Sequence, residues 1–182
     1  MEASVDRTKW TSIKTVMSRN VISVRATETV QNAWLLMMEA GITGVPIIGE
    51  ASELVGVLSI SDIFRSIMHR FEEAKALRQA TKTDDDAKSA EKDELRHLTL
   101  AIRAVAESPV KSVIPKDQKV LSLSAEDSVD RAIHMMAEHS VNRLPVLKGT
   151  EIIGIVTRQD IIWLMAGRPG KSQPEPPSSQ ES

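Results

Sequence analysis

One internal duplication constrains this chain more than any other feature. The segment from Val21 to Ile67 returns, residue class by residue class, from Val120 to Met165. The first copy reads Ile42-Thr43-Gly44-Val45-Pro46-Ile47-Ile48, then Leu54-Val55-Gly56-Val57-Leu58-Ser59-Ile60-Ser61-Asp62. The second reads Val141-Asn142-Arg143-Leu144-Pro145-Val146-Leu147, then Ile152-Ile153-Gly154-Ile155-Val156-Thr157-Arg158-Gln159-Asp160. Upstream, Val30, Ala33 and Met37 match Val129, Ala132 and Met136. A repeat this regular implies two similar subdomains. Each copy, at roughly fifty residues, is near the size at which a hydrophobic core becomes marginal, so the copies are expected to pack on each other.

Within each copy the pattern predicts strand, helix, strand, strand, helix. Val21–Val24 and Val120–Leu123 are short runs suited to strands. Ala26-Thr27-Glu28-Thr29 and Ala125-Glu126-Asp127-Ser128 stand where a hydroxyl or acid can cap the helix that follows. Val30, Ala33, Trp34, Met37 and Met38 form one apolar stripe, and Val129, Ile133, Met136 and Ala137 the other. Gly41 is placed to end the first helix in a left-handed conformation, with Ser140 at the matching position in the second copy. After each proline, two apolar runs flank a turn, which reads as an antiparallel pair. Between the copies, Leu95, Leu98, Ile102 and Val105 recur at helical spacing beyond a charged stretch, Asp84 to Lys88. That arrangement predicts a helical hairpin with its turn in the charged stretch. The divisions expected are a first repeat over 1–71, an inserted hairpin over 72–108, a second repeat over 109–166 and a disordered Pro/Ser/Gln-rich tail over 167–182.

Composition narrows the classes of function. Net charge is −2, tyrosine is absent and phenylalanine appears twice, so neither a basic stripe nor an aromatic platform points to nucleic acid. Cysteine is also absent, which excludes disulfides, thiol nucleophiles and cysteine zinc sites. No apolar run approaches the roughly 20 residues of a membrane span. A cytoplasmic protein acting away from membranes is the expectation. There is no Gly-rich phosphate loop, catalytic triad motif or metal-ligand cluster, and an enzyme is not expected.

The paired repeats, each with a proline after its helix and then Gly-apolar-apolar-Ser/Thr-x-x-Asp, resemble the cystathionine-β-synthase (CBS) domain. The resemblance covers about Lys14 to His69 and Pro109 to Ala166. It implies an α+β fold: a stand-alone tandem CBS module, packed with pseudo-two-fold symmetry, carrying the hairpin as an insertion. It further implies a non-enzymatic regulatory role in which a cleft between the repeats binds AMP, ADP, ATP or S-adenosylmethionine and signals occupancy to a client protein. By that analogy one cleft uses Thr157, Asp160, Asn142 and Arg143, faced by Met17, Ile22, Ile42 and Thr43. The other uses Ser59 and Asp62.

The residue chemistry suits these roles. A carboxylate in the first turn of a helix can accept both cis hydroxyls of a ribose, and the hydroxyl three residues earlier can meet ribose or phosphate. Arg143 has the planar fork that matches phosphate, whereas its counterpart in the first copy is Gly44. Two plainer roles stay open. Asp62 and Asp160 can serve only the amides and dipole of their own helices, and Arg143 can be an exposed strand-edge residue. The helices carry more apolar surface, including Trp34, Phe64, Ile67, Ile161, Ile162 and Trp163, than one sheet-to-sheet contact can cover, which suggests a homodimer. The alternative function is therefore a dimeric scaffold without useful nucleotide affinity.

Overall fold

The computed structural model describes residues 11–79, 90–114 and 119–167. The turn expected at Asp84 to Lys88 and the tail beyond Gly167 lie outside the described residues. By contact the chain divides into two compact units, one holding Ser23–Ala51 and Val55–Val120, the other holding the rest of the described chain. This grouping departs from chain order. The segment just before the second repeat packs with the first, and the segment just before the first repeat packs with the second.

The first unit contains β1 (Val24–Arg25), α1 (Val30–Glu39), β2 (Gly44–Ile48), β3 (Leu54–Ser59), α2 (Ile60–Gln79) and α3 (Ala90–Ala106). Its sheet has the order β1-β2-β3. Strand β1 pairs in parallel with β2 through Val24↔Ile47 and Arg25↔Ile48. Thr29 caps α1 by accepting a hydrogen bond from the Asn32 amide at 3.2 Å. Gly41, at φ +62°, follows the helix in the left-handed region. A short 3-10 turn, Val110–Ser112, completes the unit: the Val110 and Lys111 amides donate to the Glu28 and Ala26 carbonyls, at 2.7 and 3.1 Å. Val110 and Val113 thereby join a core that includes Val30, Ala33, Met37 and Ile47.

The second unit repeats the plan with β4 (Leu123–Ser124), α4 (Val129–Glu138), β5 (Arg143–Lys148), β6 (Glu151–Thr157) and α5 (Arg158–Met165). Strand β4 pairs in parallel with β5, and β5 pairs antiparallel with β6 from Arg143↔Thr157 to Lys148↔Glu151. Ser128 caps α4 through the Arg131 amide at 3.2 Å. Ser140 holds the conformation that Gly41 holds in the first copy, at φ +54°. The completing segment here is the 3-10 turn Ile13–Thr15, whose Ile13 and Lys14 amides donate to the Asp127 and Ala125 carbonyls, at 2.8 and 3.0 Å. Ile13, Val16 and Met17 are buried with Leu123, Val129 and Leu144.

Three details differ from the sequence pattern. The opening strands are two residues long, because Val21–Ser23 and Val120–Ser122 precede the part of the chain that runs beside β2 or β5. Met38, grouped with the core stripe by periodicity, is exposed, while Met37 and Met136 are buried. In α3, Val105 is fully buried, but Leu95 and Ile102 are exposed despite their helical spacing. Helices α2 and α3 pack on each other, held at their far ends by ion pairs between Arg78 and Asp93 and between Lys75 and Glu94.

Gly154 records how closely the N-terminal segment approaches. Ser18 and Ile155 exchange backbone hydrogen bonds at 2.9 Å in both directions, and a Cβ at residue 154 would stand 2.6 Å from the Met17 sulfur and 3.2 Å from the Ser18 carbonyl oxygen. Thioether side chains adapt, but the carbonyl is fixed by its strand-like pairing. Gly154→Ala should therefore destabilise the protein by about 1–3 kcal/mol, the usual cost of overpacking. Chemical denaturation checks the value, and proteolysis before Asn20 should accelerate in the same variant.

Candidate ligand-binding site

The second repeat gathers its candidate groups where β6 ends and α5 begins. Thr157 is extended (φ −119°, ψ 163°) and acts as the N-cap of α5, because its hydroxyl can accept the otherwise unpaired Asp160 amide. Asp160 answers with a single oxygen: Oδ2 accepts from the Thr157 amide at 2.8 Å and from the Thr157 hydroxyl at 2.6 Å. This reciprocal pairing is a capping box. It explains how a carboxylate only 5% exposed is tolerated there. Oδ1, the second oxygen, makes no hydrogen bond to a described residue.

Arg143 opens β5 directly across the ladder from Thr157, placing a half-buried guanidinium-bearing residue at the same end of the sheet. Asn142 precedes it, exposed, with its carbonyl accepting the Arg158 amide at 3.0 Å. Arg158 was not among the residues that the motif suggested. Its Nε donates to the Val141 carbonyl and its Nη2 to the Met136 carbonyl, each at 3.2 Å, so it ties the end of α4 to the start of α5. A cation is unfavourable at a helix N-terminus and favourable near a C-terminus, which gives the long side chain reason to reach back. Nothing in the local motif signals that long-range partner.

The first repeat builds the same box and then closes it. Asp62 Oδ2 accepts from the Ser59 amide at 2.9 Å and from the Ser59 hydroxyl. Here Oδ1 is also taken, by Arg65 Nη1 at 2.8 Å. An acid and an arginine three residues apart on a helix are neighbours, so this pair was legible in the sequence although the repeat motif stops short of it. At the position matching Arg143, Gly44 is buried at the start of β2.

The remaining candidates divide between the units. Ile42 and Thr43 belong to the first, where Ile42 packs partly against the core and the Thr43 carbonyl accepts the Ile60 amide at 3.1 Å. Met17 lies within the second-repeat core against Gly154. Ile22 is exposed. Thr157, Asp160, Asn142 and Arg143 are thus brought together in one unit, and Ser59, Asp62, Ile42 and Thr43 in the other.

Comparison with known proteins places this arrangement. The family model for the CBS domain matches residues 13–69 and again 110–167, more than half of the chain. The protein belongs to the CBS-domain family, as a tandem pair with a mixed α+β fold. A CBS domain of a CBS-domain-containing membrane protein from Sphaerobacter thermophilus is 25% identical, with a TM-score of 0.62 over 90% of this chain and 93% of that one. The CBS pair of protein MJ0100, solved with 5′-methylthioadenosine and S-adenosyl-L-methionine, is 23% identical, with a TM-score of 0.55 over 86% and 97%. An inosine-5′-monophosphate dehydrogenase of Korarchaeum cryptofilum is 44% identical over 48 residues, 26% of this chain and 10% of the enzyme. The chain spans about a third or less of the length of the first two curated relatives it matches. Among the described residues no helix is long and apolar enough to cross a membrane.

The capping box gives a stability test that needs no ligand. Thr157→Ala should cost about 1 kcal/mol, as loss of a helix N-cap does. Asp160→Ala should cost a similar amount. Because both variants remove the same reciprocal pair, the double variant should lose less than the two single losses combined. Equilibrium unfolding in denaturant measures all three.

Proposed function

We propose that this protein is a regulatory module that binds an adenosine-containing ligand at the β6–α5 end of its second repeat and passes occupancy to a partner. The observation that carries this reading is the division of labour within Asp160. Capping uses one oxygen, and the other has no hydrogen bond to a described residue. A carboxylate held this way offers a fixed acceptor for the hydroxyls of a ribose, and hydrogen bonds to a charged group are among the stronger polar contacts. Arg143, one strand away, supplies the fork suited to phosphate. A ligand selective for one arrangement of the protein shifts its population toward that arrangement, which is sufficient for sensing without chemistry. Support also comes from the similar fold of the MJ0100 pair, solved with two adenosine-containing molecules. AMP, ADP and ATP are the forms for which Arg143 would matter.

Calorimetric titration tests the assignment. Asp160→Ala should weaken adenosine and AMP binding by at least about 1.5 kcal/mol, the lower range for a hydrogen bond to a charged group. Arg143→Ala should harm AMP and ATP much more than adenosine. Equal losses for adenosine and AMP in that variant would remove the phosphate assignment, and undiminished binding in Asp160→Ala would remove the ribose assignment.

The second part of the proposal is assembly. Phe64 on α2 is 57% exposed, and Ile162 and Met165 on α5 are 61% and 50% exposed. Large apolar side chains grouped on helices favour an interface over open solvent, and a two-fold axis is the commonest arrangement for identical chains. A homodimer is expected by sedimentation velocity at micromolar concentration. Phe64→Glu or Ile162→Glu should shift it toward monomer; a wild-type chain that sediments only as monomer would end this part of the proposal.

A further inference from the structure

The two capping boxes differ in the residue that follows their acid by one helical turn. Three residues beyond Asp62 stands Arg65, while three residues beyond Asp160 stands Trp163. The Arg65 guanidinium donates to Asp62 Oδ1 at 2.8 Å, the oxygen whose counterpart on Asp160 makes no hydrogen bond to a described residue. Asp62 is buried, whereas the Arg65 side chain is 65% exposed, so the arginine covers the carboxylate from the solvent side.

We propose that Arg65 is a specificity-determining residue that closes the first-repeat carboxylate to a neutral diol, so that the two repeats of one fold bind ligand unequally. The proposal rests on the reading of these carboxylates as ribose acceptors. Its physical basis is competition for one oxygen. A ribose hydroxyl that donates to Asp62 Oδ1 must displace an intramolecular, charge-assisted donor that pays no association entropy. At Asp160 the same hydroxyl meets an oxygen without such a competitor among the described residues. The size of the effect is bounded by the exposure of Arg65: a largely exposed ion pair is worth at most about 1 kcal/mol, or about fivefold in affinity. Arg65 therefore tunes preference between repeats and leaves the box itself intact, since Ser59 and Asp62 Oδ2 pair without it.

The experiment is an adenosine titration in an Asp160→Ala background, where the second-repeat acceptor has been removed. Adding Arg65→Gln should tighten the remaining binding by about fivefold. Arg65→Lys should leave it nearly unchanged, because an ammonium can still occupy the carboxylate. Adding Asp62→Asn to Arg65→Gln should cancel the gain, a dependence that a merely structural role for Arg65 would not produce. Unchanged or weaker adenosine binding in Arg65→Gln, with folding verified by thermal unfolding, overturns the proposal, as does a gain that survives Asp62→Asn. The parent reading is judged separately, by whether wild-type adenosine binding depends on Asp160. An Asp62-dependent gain on removing Arg65 can appear even where that dependence fails.

Discussion

The fold depends on a backbone exchange made twice in the same way. Each repeat lacks a layer of its own core, and that layer is supplied by a segment lying in sequence before the other repeat. In the second unit, Ile13 and Lys14 donate to the Asp127 and Ala125 carbonyls while Val129 donates to the Thr11 carbonyl. In the first, Val110 and Lys111 donate to Glu28 and Ala26 while Val30 donates to Ser108. Polar backbone is satisfied at the same moment that Ile13, Val16, Val110 and Val113 become buried. For repeats of roughly fifty residues, whose cores are otherwise marginal, those few apolar side chains matter disproportionately. The exchange also makes the second unit discontinuous in sequence, whereas the first, from Ser23 to Val120, is interrupted only at Ser52–Leu54.

That exchange marks the boundary of what local sequence can reveal. Strand, helix, strand, strand, helix was legible because apolar spacing, the hydroxyl caps Thr29 and Ser128, and the left-handed positions Gly41 and Ser140 are all local signals. Which unit Ile13 or Val110 packs against was not, since both segments have the same local character. Burial within helices was legible only in part. Periodicity names a face but not how far along the helix a neighbour covers it, so Val105 is buried while Leu95 and Ile102, on the same repeat, are exposed.

At the candidate site, the repeated Ser/Thr-x-x-Asp brought out the capping boxes but could not say how many carboxylate oxygens each box consumes. Two roles weighed as alternatives from sequence turn out to be compatible, because capping satisfies Asp160 through Oδ2 alone. The carboxylate is held by the helix start, and its second oxygen, which makes no hydrogen bond to a described residue, is held in turn at a definite position. Preorganisation of this kind lowers the cost of ordering a ligand group, whichever ligand it is. Asp62 shows the opposite outcome from the same motif, since Arg65 takes the oxygen that the box leaves over.

Duplication followed by unequal neighbours explains how a symmetric plan can yield asymmetric chemistry. The elements that fix the backbone, the caps and the exchanged segments, match closely between the units. Other side chains do not: Arg143 corresponds to Gly44, and Trp163 to Arg65, at matched positions of the two copies. In the first repeat Arg65 takes the carboxylate oxygen that the box leaves over, whereas in the second Arg143 stands across the ladder from Thr157 and Asp160 Oδ1 makes no hydrogen bond to a described residue. Since the caps and the cores rest on the matched set, the unmatched side chains can differ between the repeats without disturbing either core.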